Sequence, residues 1–121
     1  MIKWKEQKQR LLDKIFFESK STQTFGNFYS DPLTIKKILP HLSSLKSYAV
    51  RESQNEILDI CIDIETAIQK CRFIKSQKER LGLWMAGYLE PDISKMIDAP
   101  RVSVHNSIVR CCEKISEQLV K

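Results

Sequence analysis

Hydrophobic residues recur at helical spacing along most of the chain. Between residues 53 and 73, five apolar side chains step by four, three, four and three positions: Ile57, Cys61, Ile64, Ile68 and Cys71. This spacing is typical of the buried face of a helix. Ile60, Ile62 and Ile64 also occupy every second position, as in a strand, but the segment has no Gly or Pro, and a strand of about twenty residues would be unusually long. We therefore predict a helix.

The first half of the chain predicts a helix, a loop and a second, shorter helix. Residues 3 to 18 place apolar side chains at near-helical spacing among many charged ones, which indicates a basic amphipathic helix. Residues 19 to 30 are rich in Ser, Thr, Asn and Gly, a composition typical of a loop. Asp31-Pro32 is a helix start, and that helix should end near Leu39. Ser53, with Glu56 three residues later, predicts a capping box for the following helix.

Composition agrees with an all-α fold. The chain has 121 residues, of which 42% are hydrophobic and only three are Gly and four Pro. It is long enough for one small domain and too short for a large multidomain enzyme. The low content of helix breakers favours helices over turn-rich β folds.

Several functional classes find no support in the residues present. No apolar stretch approaches eighteen residues and the N-terminus has no signal-peptide pattern, so we expect neither a membrane span nor secretion. The four cysteines include no C-x-x-C, which predicts reduced thiols in a cytoplasmic protein. Neither His41 nor His105 has a partner at metal-ligand spacing. With no phosphate loop or G-x-S-x-G motif, we expect no metal, no cofactor and no enzymatic activity.

Charge is distributed unevenly. The formal net charge is +5, and the whole excess lies in the first half of the chain. Four acidic residues at helical spacing form a stripe: Glu52, Glu56, Asp59 and Asp63. A solvated helix face is the usual meaning of such a stripe, and a contact surface for a partner protein is the alternative. Residues 70 to 80 are basic instead, with five bases and one acid.

The C-terminal part of the chain has helix-turn-helix spacing. A helix is predicted over residues 77 to 86, followed by Gly87, a short helix over 91 to 97, a tight turn at Asp98-Ala99 and a longer helix from about Pro100. Trp84 and Tyr88 follow helical spacing and are expected in the core. The last helix has an apolar inward stripe formed by Val104, Ile108, Cys111 and Ile115.

A series of short motifs in residues 77 to 119 matches a known family. They are Gly87-Tyr88, Asp92-Ile93-Ser94, Ile97, Ser103-Val104, Ile108 and Arg110-Cys111. In this order they resemble the region-four helix-turn-helix of bacterial sigma factors, which also occurs in response regulators and phage-encoded sigma-like activators. Residues 64 to 68 resemble the helix that precedes this module. Asp98 stands where the family usually has Gly, and Pro100 stands where it usually has a capping Ser or Thr.

The resemblance implies binding to double-stranded DNA by the last helix. Its outward face carries Arg101, Ser103, His105, Asn106 and Arg110. Asn106 can contact adenine through two hydrogen bonds, Arg101 can contact guanine or phosphate, and Ser103 can reach either. Arg110 and Lys95 are phosphate candidates. His105 is a further candidate on the same face.

We therefore predict three regions: an N-terminal basic helix and loop (1–30), linking helices (31–75) and a helix-turn-helix module (76–121). The expected function is a DNA-binding transcription regulator similar to phage late-gene activators of the autolysin-regulator type, with RNA polymerase as a partner. Because one helix-turn-helix reads few base pairs, we expect a homodimer through residues 3–18 and 53–73, or tethering by polymerase. The alternatives are a protein-interaction adaptor or antagonist and the DNA-recognition subunit of a phage packaging terminase.

Overall fold

Residues 30 to 120 are described by a computed structural model, and within that range the chain is all-α, as predicted. No residue of the range lies in a strand. The predicted helix over residues 3 to 18 and most of the predicted loop after it lie outside the described residues. No helix in the described range is long and apolar enough to cross a membrane.

Two of the helices, with 16 and 19 residues, are longer than the others. In chain order they are α1 (Pro32–Ile38), a 3-10 turn (Leu39–His41), α2 (Leu42–Arg51), α3 (Asn55–Lys70), α4 (Lys75–Met85), α5 (Glu90–Ile97) and α6 (Arg101–Leu119).

The start of α1 follows the prediction from Asp31-Pro32. The Asp31 carboxylate accepts hydrogen bonds from the Leu33 backbone amide (3.1 Å) and the Thr34 hydroxyl (2.6 Å), and so caps the first turn. Pro32 occupies the first turn, where its missing N–H costs nothing. At Pro40 the chain forms the 3-10 turn, which leads directly into α2.

The core is organised around α6, which packs against α1, α3, α4 and α5. The inward stripe of α6 is fully buried, as its spacing predicted, and Cys112 joins it: Val104, Ile108, Cys111, Cys112 and Ile115. Each buried Ile or Val of this kind contributes about 1.5 to 3 kcal/mol of transfer free energy. α6 is therefore held in place over most of its length, and only one side of it remains open to solvent.

The apolar face of α3 is covered within a single chain. Ile57, Cys61 and Ile64 are buried, whereas Ile68 and Cys71 are only half-buried near the end of the helix. α3 packs against both α2 and α6. Ile57, Cys61 and Ile64 thus need no second copy of the chain to cover them, although residues 53–73 were predicted to take part in a homodimer.

Two local predictions were wrong. Ser53 does not cap α3, which begins at Asn55 after Gln54. Ser53 instead has a left-handed backbone (φ 54°) and closes α2, because the Gln54 amide donates to the Ala49 carbonyl (2.8 Å) in a Schellman-type ending. Tyr88 is 45% exposed and not in the core. It follows Gly87 (φ 102°), so the helical spacing from Trp84 no longer sets its direction.

Candidate nucleic-acid interface

A compact turn joins α5 and α6. Residues 98 to 100 separate the two helices, and Asp98 has a left-handed backbone (φ 52°, ψ 56°). The Ala99 amide donates to the Ser94 carbonyl (3.0 Å), and the Ser94 hydroxyl donates to the Ala99 carbonyl. Ser94 therefore fixes the turn through both its backbone and its side chain, and a residue without a hydroxyl there would lose the second of these bonds.

The first turn of α6 has no side-chain cap. Pro100 is the N-cap residue, and its carbonyl accepts a hydrogen bond from the Val104 amide (3.1 Å). A proline has no side-chain oxygen with which to satisfy the first amides of the helix. Those amides and the positive end of the helix dipole are consequently available to a polar partner.

Three predicted contact residues are exposed and unengaged. Arg101 and Asn106 lie on the solvent side of α6, and Lys95 lies on α5. The hydrogen bonds and ion pairs found between residues 30 and 120 include none made by these three side chains. They can therefore contact a ligand without first breaking an internal bond.

His105 is exposed, but it is already engaged. Its Nδ1 lies 2.8 Å from one carboxylate oxygen of Glu90, and the other oxygen is 3.1 Å from the Lys36 Nζ. Lys36 also lies 5.1 Å from the centre of the Trp84 ring, and the Trp84 indole donates to the Lys36 carbonyl (2.9 Å). These contacts connect α1, α4, α5 and α6. The arrangement gives His105 a role in joining helices, which its position in the sequence did not indicate.

Ser103 is also engaged, by a residue that the sequence did not single out. The Arg80 guanidinium, from α4, donates to the hydroxyls of Ser103 (3.2 Å) and Ser107 (2.6 Å). The Arg80 Nε is buried and has no hydrogen-bond partner in the described part of the chain. Ser103 and Ser107 are four residues apart on one side of α6, so a single long side chain can reach both. The spacing of the two serines was visible in the sequence, but it did not indicate that Arg80 lies opposite them.

Arg110 lies further along α6 and forms an exposed ion pair. Its Nη1 is 3.4 Å from a carboxylate oxygen of Glu113, and the two side chains are 60% and 44% exposed. Such a pair contributes little to stability and opens easily. Lys114, one turn on, donates instead to the Arg72 carbonyl (3.2 Å) and the Gln77 side chain (3.0 Å).

The cysteines have the environment of core thiols. Burial raises the pKa of Cys61 and Cys111 to about 11 and that of Cys112 to about 12. A thiol with such a pKa is protonated at neutral pH and is a poor nucleophile and metal ligand. Among residues 30 to 120, no cluster of three or more His, Cys, Asp or Glu side chains could hold a metal ion.

Comparison with models of protein families, with curated proteins and with solved structures gave no match to this chain. The candidate interface is therefore described by its own geometry. It combines a fixed turn at residues 98 to 100, an uncapped helix start and the unengaged side chains of Lys95, Arg101 and Asn106.

Proposed function

We propose that this protein is a DNA-binding transcription regulator that inserts the N-terminal half of α6 into the major groove. The observation that carries the proposal is the arrangement of α5 and α6. An eight-residue helix and a three-residue turn lead into a longer helix whose inner face is buried and whose outer face is open. This is the order of elements in a helix-turn-helix, where the second helix reads the groove.

The backbone of the turn supports the resemblance to sigma region four. The family usually has Gly at the position of Asp98, and Asp98 holds the left-handed conformation that Gly adopts easily. Asp is one of the few other residues that enter this conformation without a large penalty. The departure from the family pattern is therefore compatible with the same turn.

The proposed contacts divide into two kinds. Asn106 is the candidate for reading a base, because its amide can both donate to and accept from adenine. Lys95, Arg101 and Arg110 are candidates for phosphate, where they position the protein without reading sequence. Ser103 and His105 are held by Arg80 and Glu90, so we assign them to the support of α6.

A second source of affinity belongs to the proposal, because one helix-turn-helix covers only a few base pairs. We propose that a second copy of the chain supplies this affinity in a homodimer. RNA polymerase is the alternative source, as the resemblance to phage activators implies, and the protein would act in the cytoplasm. Since Ile57, Cys61 and Ile64 of α3 are buried within one chain, the dimer contact would use residues other than these three.

The proposal is tested by binding to fluorescently labelled DNA duplexes enriched from a random pool. We expect Arg101→Ala combined with Arg110→Ala to weaken binding at least tenfold, because two phosphate contacts are lost. Arg51→Ala combined with Lys70→Ala is the matched control. It removes two exposed basic side chains, and the same charge, from α2 and α3. Equal behaviour of the two pairs, with both folded, would contradict the proposal.

One observation favours an adaptor as the second candidate. Three residues of the predicted acidic stripe lie on α3, namely Glu56, Asp59 and Asp63, whereas Glu52 ends α2 and is not on that helix, so the prediction of one helical stripe was wrong for Glu52. All four side chains are exposed. The exposed side chain of Ile62 (43%) lies beside the stripe. A partner protein with a basic surface would fit this face. Substitution of the stripe by Gln and Asn should then abolish partner binding and leave binding to DNA unchanged.

A further inference from the structure

The outward side of α6 carries an apolar side chain that the predicted contact set leaves out. Val102 is 70% exposed, the largest exposed fraction of any large hydrophobic residue between positions 30 and 120. It is the second residue of α6, at the end where a recognition helix contacts bases. A single exposed valine needs no explanation by itself, so its neighbours decide its meaning.

Those neighbours limit which side chains can touch a base. Ser103 is held by Arg80, and His105 is held by Glu90. In the first two turns of α6, the exposed side chains without such a bond to a described residue are Arg101, Val102 and Asn106. Val102 and Asn106 are four residues apart on one side of the helix, and both line the same shallow groove. They therefore face a ligand together.

The chemistry of these two side chains matches two A·T base pairs that lie close together. Adenine offers the N6 amino group and N7 to an asparagine, and thymine alone offers a methyl group to an apolar side chain. Four residues of helix span about 6 Å, and stacked bases are about 3.4 Å apart. The two side chains thus reach bases separated by one or two steps.

On this basis we propose that Val102 contacts the methyl group of a thymine lying within two base pairs of the adenine bound by Asn106. The inference rests on the proposed function. It narrows the expected ligand to duplex DNA in which two A·T pairs lie close together and are contacted through the major groove. Arg101, beside Val102, binds the adjoining phosphate or a guanine at the edge of the site.

The test replaces thymine by deoxyuridine, one position at a time, in the duplex enriched by the parent protein. This change removes the methyl group and keeps base pairing. At one thymine we expect the parent to bind about fourfold more weakly, which is the contribution of one buried carbon group. Val102→Ala should bind the thymine duplex at that weaker level and should show no further loss with deoxyuridine, because the interacting group is already absent.

Val50→Ala is the matched control, since Val50 is also exposed (62%) and lies on α2. It should keep the full sensitivity to deoxyuridine. Asn106→Ala should lose its preference for an adenine within two base pairs of the sensitive thymine.

The outcomes separate the two proposals. Failure of the parent to enrich any duplex would reject the proposed function and this inference with it. Enrichment of a sequence at which no deoxyuridine substitution matters would reject the thymine contact alone. The thymine contact would also be rejected if Val102→Ala were as sensitive to deoxyuridine as the parent, because Val102 would then affect only the stability of α6.

Discussion

Asp98 holds a left-handed backbone at the point where α5 leads into α6 (φ 52°, ψ 56°). A residue with a Cβ atom is strained in this conformation by about 1 to 2 kcal/mol, less for Asp than for most residues, and Gly is not strained. We expect Asp98→Gly to raise the free energy of unfolding only slightly, by up to about 0.5 kcal/mol, because the entropic cost of Gly in the unfolded chain offsets most of the relieved strain. Urea denaturation measures this directly.

Asp98→Val is the counterpart, because a β-branched side chain is the least compatible with a positive φ. It should lower the free energy of unfolding by more than about 1 kcal/mol. If Asp98→Gly were destabilising and Asp98→Val neutral, the left-handed turn between α5 and α6 would be wrong.

The buried thiols give the fold a dependence on alkaline pH. Cys61, Cys111 and Cys112 have pKa values raised by burial from an ordinary value of 9.0 to about 11 or 12. Above about pH 9 the unfolded chain loses these protons while the folded chain keeps them, so stability is retained below this pH and falls as the pH rises further. Urea denaturation between pH 8 and 10 should show this decrease.

Thiol labelling at pH 8 provides the control for the same three residues. They should react with a disulfide reagent only as fast as the protein unfolds, because the thiolate is the reactive form and it is disfavoured by burial. Rapid labelling of all four cysteines in the folded protein would contradict the placement of these thiols in the core.

At the level of elements, the contacts of Glu90 join α5 to both α1 and α6. Lys36 and Glu90 are mostly buried, with 14% and 20% of their side chains exposed, and His105 completes the cluster. Glu90→Gln removes the charge that both partners contact. We expect it to lower the free energy of unfolding by about 1 to 2 kcal/mol, because ionic hydrogen bonds away from water are the stronger ones.

Glu65→Gln is the matched control, since Glu65 pairs with Lys46 at 2.8 Å but both side chains are more exposed (36% and 43%). Screening by solvent should limit its effect to less than about 0.5 kcal/mol. Equal losses in the two variants would mean that the cluster around Glu90 does not join the helices.

Helix positions could be predicted from the sequence because they depend on neighbours in the chain. The Asp31-Pro32 start, the Gly87 ending and the buried stripe of α6 all follow from local spacing and residue type. The predicted starts of α4, α5 and α6 differ from the observed ones by one or two residues.

Contacts between helices could not be predicted in this way. Lys36 is 54 residues from Glu90 and 69 from His105, so no spacing rule connects them. Arg80 reaches Ser103 and Ser107 only because α4 packs against α6. Two of the six predicted contact residues, Ser103 and His105, were therefore assigned to a ligand although the fold engages them internally. Arg101, Asn106 and Arg110 depend only on which side of α6 faces outward, which the periodicity shows.

At the level of the whole molecule, the proposal requires more contact with DNA than one α6 supplies. We expect a homodimer at micromolar concentration, and sedimentation equilibrium measures it. Because α3 is covered within one chain, Ile57→Ala should destabilise the fold rather than shift the monomer–dimer equilibrium. A strict 14.1 kDa monomer at all concentrations would leave tethering by a polymerase as the source of the missing contact.

The central claim is that α6 reads DNA, and a salt titration of binding to the enriched duplex and to random duplex tests it most directly. Asn106→Ala should lose its contact with one base pair. The difference in binding free energy between the enriched and the random duplex should then fall by about 1 to 3 kcal/mol. Arg110→Ala should weaken binding to both duplexes equally and reduce the salt slope by about one unit. If both variants are folded and bind both duplexes like the parent, α6 is not the recognition helix and the adaptor becomes the better account.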